Sequence, residues 1–109
     1  MSKNNIKARE PFLTVLLWII DALNKGGHHE QTVFVERLIH SLEEGNFEIF
    51  IKDVNSVEFW GGSGAVWEVD IQNRIDRELF DTKLKQLIKL MKENGILESR
   101  AKSVYNLLT

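Results

Sequence analysis

"NFEIFIKDVN", residues 46–55, fits two periods at once, and the choice between them separates an all-helical chain from a mixed one. Phe47, Phe50, Ile51, Val54 and, just beyond, Val57 recur at three and four, the spacing of one helix face, with Asn46 as an N-cap. In a strand, Phe47, Ile49 and Ile51 would share one face and Glu48, Phe50 and Lys52 the other. A capping box would require Glu or Gln three residues after Asn46, where Ile49 stands. The helical period accounts for more of the apolar residues and is the preferred reading.

Outward from this stretch, the flanking segments are helical. Phe12, Val15, Leu16, Ile19, Ile20 and Leu23 place a first helix over residues 10–24, with Pro11 in its first turn. Leu17 and Trp18 widen its apolar face, which predicts burial on most sides. Asn24 and the Gly26–Gly27 pair stop it. Val35, Leu38, Ile39 and Leu42 give a second helix over 30–44, closed at Gly45. Phe80, Leu84, Leu87, Ile88 and Met91 form one stripe over 76–94 with Lys85, Lys89 and Lys92 opposite, and Gly95 ends it. Ala101, Val104, Tyr105 and Leu108 mark a last helix over 98–108. Ala65, Trp67, Val69 and Ile71 alternate with Glu68, Asp70 and Gln72, as in a short strand or an extended segment laid on the bundle. The expected fold is mainly α: one domain spanning residues 1–109, a bundle of four to five helices with one irregular or short β segment near 61–72.

Composition agrees with a globular chain. Of 109 residues, 43% are hydrophobic and 28% charged, enough to bury one core, and a single proline with no low-complexity run argues against disorder. The absence of cysteine excludes disulfides, thiolate metal sites and cysteine nucleophiles. The apolar run Pro11–Ile20, preceded by Lys3, Lys7 and Arg9, imitates a signal peptide. Glu10 and Pro11 interrupt the approach, no small-x-small cleavage site follows, and the run is about half the ~20 residues that span a bilayer. A cytoplasmic protein without a membrane segment is expected.

The net charge of −2 conceals an uneven distribution. Residues 40–81 hold three basic and ten acidic side chains, whereas residues 82–109 hold six basic and two acidic. An acidic middle and a basic end bear on partners rather than on the fold.

The central stretch "VEFWGGSGAVWEVD", residues 57–70, admits three readings. A phosphate loop would carry Lys-Ser or Lys-Thr after its glycines, but Ala65 and Val66 follow, and Glu58, Glu68 and Asp70 would repel a phosphate. A plain turn folds Trp60 and Trp67 back onto the core. A partner surface presents these indoles, ringed by acids, to another macromolecule. The last two stay open. The candidate partner-binding residues are Asp53, Glu58, Trp60, Trp67, Glu68 and Asp70.

No cofactor, metal or catalytic group is expected. His28, His29 and His40 lack the i, i+4 spacing of a helical metal site and read as solvated histidines. No serine or threonine sits in a nucleophile motif, and no His–acid pair has a third group to orient it. The rival is a helix-turn-helix DNA-binding regulator built from residues 82–108, with Arg100 and Lys102 on its second helix; the acidic middle opposes it.

At "EFWGGSGAVWEVDI" the chain resembles short bacterial proteins in which paired helices lead into an aromatic-Gly-Gly-x-Gly segment ending in an acidic-apolar run. Such proteins look like the immunity proteins of inter-bacterial toxin systems. The resemblance runs loosely over residues 30–72: Phe59, Trp60, Gly61, Gly62 and Gly64 occupy the motif and Asp70 its acidic position, while Trp67 and the basic C-terminal helix have no counterpart. It implies a non-catalytic protein that binds and neutralises a toxin domain with a basic surface.

Overall fold

The computed structural model describes residues 9–108. Lys3 and Lys7, which entered the targeting reading, lie outside the described residues. The helices are α1 (Arg9–Lys25), α2 (His29–Glu43), α3 (Phe47–Val54), the single turn α4 (Val57–Trp60), α5 (Arg74–Glu93) and α6 (Ser99–Tyr105), with a 3-10 turn at Val66–Glu68. No strand occurs among the described residues. None of their helices is long and apolar enough to cross a membrane.

The ambiguous stretch is helical. Phe50 and Val54 are fully buried and Ile49 is exposed, whereas a strand would have placed Ile49 inward with Phe47 and Ile51. Phe50 meets Phe12 of α1 edge-on, ring centroids 5.3 Å apart; such pairs add to the gain from burial alone. The helix is shorter than its period implied. Asn55 caps it, and Val57, counted with the inward row, is exposed at the start of α4.

Asn55 is a buried junction. Its side-chain amide donates to the carbonyls of Ile51 and Ile96, both at 2.9 Å, and its Oδ1 accepts from the Glu98 amide at 3.1 Å. Arg100 donates to its backbone carbonyl at 3.3 Å. One polar residue thereby ties the α5–α6 link to the end of α3, with every hydrogen-bonding group of its side chain satisfied.

α1 packs against α2 and α5, and its buried row is Phe12, Val15, Leu16, Ile19 and Leu23. The expected burial on most sides is corrected: burial is confined to the row named above, and Leu17 and Trp18, which lie off it, are 56% and 46% exposed. α5 buries Phe80, Leu84, Leu87, Ile88 and Met91 as its stripe predicted, and begins at Arg74 because Asn73 Oδ1 accepts the Asp76 amide as an N-cap. α6 is shorter than expected, and Tyr105 lies on its exposed side.

Residues 65–71 are the extended segment rather than the strand. Ala65 and Val69 have extended backbones on either side of the 3-10 turn, which inserts buried Val66 and breaks the alternation. Side chains from the helices satisfy its backbone in place of a second strand. Arg77 donates to the Val69 carbonyl at 2.8 Å and pairs with the nearly buried Asp81 at 3.2 Å, while His28 Nε2 meets the Asp70 carbonyl at 2.8 Å.

Candidate functional site

The glycine loop is a closed turn. Trp60, only 2% exposed, stacks on Phe59 with centroids 4.3 Å apart and donates its indole N–H to the Val54 carbonyl at 2.6 Å. Trp67, half-buried, donates to the Gly61 carbonyl at 2.6 Å, and Gln31 donates to the Gly64 carbonyl at 2.9 Å. Gly61 is demanded by contact, since a Cβ there would lie 2.6 Å from the Val57 carbonyl oxygen, and Gly64 by its positive φ of 90°. The segment leads into one 3-10 turn, not into a long helix whose N-terminus would hold a phosphate.

Trp60 is therefore corrected from partner anchor to core residue: its ring fills the interior and its one polar atom is used there. The other candidates fall in different places. Trp67 borders a shallow groove against α6 with Arg100, Ser103 and Leu107. Asp70 lines a separate cleft between α1 and α5. Glu58 and Glu68 are exposed near the loop and Asp53 is half-buried on α3, and none of these three lines either depression. The six residues do not converge on one cavity.

The acidic middle is partly neutralised by its own neighbours. Asp76 meets Lys25 at 3.8 Å, Glu78 meets Arg74 at 3.4 Å and Asp81 meets Arg77 at 3.2 Å. Glu58, Glu68 and Asp70 have no ion-pair partner among the described residues. These three are exposed to solvent, where steering acts.

The α1–α5 cleft has a volume of about 540 Å³, and sequence reasoning missed it. Trp18 stands on its wall, with Leu79 exposed beside it on α5, and the Lys83 ammonium lies 4.7 Å from the indole centroid. Ile75, one turn before Leu79, and Leu17, next to Trp18, extend the exposed apolar surface. A signal for it was present in the sequence: "PFLTVLLWII" holds more large apolar residues than one helix face can bury.

Among the described residues no group of three or more His, Asp or Glu side chains is placed to hold a metal ion. His28, expected to be solvated, is half-buried and braces the Asp70 backbone. At the basic end, Gly95 joins α5 to α6, and Arg100, assigned to nucleic acid in the rival reading, is exposed and donates to the Asn55 carbonyl at 3.3 Å.

No family model matches the chain, and no curated protein or solved structure matches it at a level that marks relationship.

Proposed function

We propose that the chain is a non-catalytic protein-binding module, and that its partner is a toxin domain with a basic surface, which it neutralises. The observation that carries the reading is the solvent-facing indole of Trp18, 46% exposed on α1 between exposed Leu17 and a cleft lined by Asp21 and Asp70. Burying a large aromatic surface that folding leaves wet is a gain reserved for association, and aromatic anchors with charged rims are the recurrent composition of interface centres. The unpaired Glu58, Glu68 and Asp70 supply the negative potential that speeds encounter with a basic partner. The neutralising role follows from the likeness of "EFWGGSGAVWEVDI" to immunity proteins; the surface argument stands without it.

The test is co-expression with a candidate toxin domain that carries a basic surface, scored by growth and by isothermal titration of the purified pair. Rescue with a stoichiometric complex weakened by Trp18→Ala is expected. Absence of both rescue and complex, with DNA binding that weakens steeply with salt in a gel shift, would replace this reading by the DNA-binding one.

A further inference from the structure

Trp18 stands between two hollows. On one side is the cleft of about 540 Å³ described above; on the other, a groove of about 550 Å³ follows α1 and α5 toward Pro11 and Leu90. The indole, 46% exposed, is a ridge with open space on either side, and exposed Leu17 on α1 and Leu79 on α5 widen the apolar surface around it. Charges of both signs surround this ridge without meeting each other. Lys83 holds its ammonium 4.7 Å from the Trp18 centroid. Asp21, a turn further along α1, lines the cleft together with Lys83 and the outer face of α1 together with Leu17. Neither Asp21 nor Lys83 has an ion-pair partner among the described residues, whereas Lys25 and Asp76 in the same cleft pair at 3.8 Å.

We infer that in the free chain this face closes on a second copy of itself, about a twofold axis passing beside Trp18. A twofold contact sets one patch against its own image, so the patch must be complementary to itself. A ridge next to a hollow meets that condition in shape, because each indole can enter the hollow of the other copy. An unpaired acid next to an unpaired base meets it in charge, because Asp21 of one copy is set against Lys83 of the other, twice over. The ammonium keeps its place over its own indole and gains the carboxylate it lacks, so the ring face is not vacated. Leu17 and Leu79, wet in the single chain, supply the apolar area that such a contact covers. The inference goes beyond the neutralising reading: it concerns the chain without its toxin, and a toxin domain seated on Trp18 has to displace the second copy.

Sedimentation velocity of the full chain, over a concentration series reaching the millimolar range, measures the association. A reversible equilibrium between one and two copies is expected. Asp21→Lys sets lysine against lysine across the axis and Lys83→Asp sets acid against acid, so each variant alone should self-associate about tenfold more weakly or worse. An equimolar mixture of the two variants restores opposite charges at both contacts and should form a mixed dimer about as strong as the parent. Trp18→Ala should weaken the parent dimer without any change of charge. Asp21 and Lys83 make no ion pair within the chain, so the fold should survive each exchange. The indole N–H signals of Trp60 and Trp67, bonded to the Val54 and Gly61 carbonyls, report on that. A parent chain that stays single at every concentration, variants that associate as the parent does, or a mixture no stronger than its components would each overturn the inference. So would growth beyond two copies, the mark of a contact that does not close on itself. The two readings fail separately: a toxin complex formed by a chain that is always single removes only the dimer, and a dimer in a chain that binds no toxin removes only the neutralising role.

Discussion

The indole nitrogen of Trp60 lies 2.6 Å from the carbonyl oxygen of Val54, and this bond closes the α3–α4 turn from inside the core. A helix ends with carbonyls that lack intrahelical partners, and a buried one must find a donor elsewhere. Trp60→Phe keeps most of the ring and removes the donor. The expected loss is about 1–3 kcal/mol, the usual cost of orphaning a buried polar group. Trp60→Ala also opens a cavity and should cost about 3–5 kcal/mol. Urea unfolding measures both, and a Trp60→Phe variant as stable as the parent would show that the bond contributes nothing.

The central glycines divide into required and dispensable ones. Gly61→Ala brings a Cβ within 2.6 Å of the Val57 carbonyl oxygen, and backbone cannot swing aside as a side chain can, so a loss of about 1–3 kcal/mol is expected. Gly62→Ala meets nothing within 4 Å and has no positive φ, so its effect should stay within about 0.5 kcal/mol. A phosphate cradle would have needed both residues. Thermal unfolding of the two variants side by side separates steric necessity from mere glycine richness.

The same residues show how far the sequence could be read. Helices α1, α2, α3 and α5 were legible because their apolar residues recur over two turns or more, and the stops at Gly45 and Gly95 were chemically marked. The orientation of the tryptophans was not legible, and the two cases are opposite. Trp60 belongs to a helix of one turn, which has no period to reveal an inner face, and it is buried. Trp18 lies off the periodic row of Phe12, Val15, Leu16, Ile19 and Leu23, but in so apolar a run it reads as a widening of the buried face, and it is exposed. The separation of Asp70 from Trp67 followed from tertiary packing: the 3-10 turn redirects the chain between them, placing one at the α1–α5 cleft and the other against α6.

Asn55 is the polar residue on which the C-terminal end depends. Asn55→Asp keeps an acceptor for the Glu98 amide but removes both donors and sets a buried carboxylate against the carbonyls of Ile51 and Ile96. Asn55→Leu removes all three side-chain bonds. Each variant should lose about 2–4 kcal/mol, since two or three buried groups are left unpaired. Local opening should also change. Amide exchange in α6 is expected to rise relative to that in α1, because the contact that fixes the 96–98 link is gone. Uniform acceleration across both helices would mean that Asn55 supports the whole domain rather than its last element.

Trp18 and Trp60 should respond in opposite ways to truncation. Trp18→Ala removes a ring that folding leaves 46% exposed together with its Lys83 contact, so the unfolding midpoint should move little. At the centre of the proposed interface the same change should cost about 2–4 kcal/mol of affinity, seen as faster dissociation. Trp60→Phe should reverse the pattern, with stability lost and affinity of the remaining folded protein retained. Charge reversal at Glu58 or Glu68 belongs to a third class. These exposed carboxylates sit away from the cleft, so Glu68→Lys should slow association, and the slowing should fade as salt is raised. Surface plasmon resonance of the three variants against the toxin domain measures both rates. If Trp18→Ala left dissociation unchanged while Glu68→Lys accelerated it, the interface would be centred on the glycine loop and not on the α1–α5 cleft.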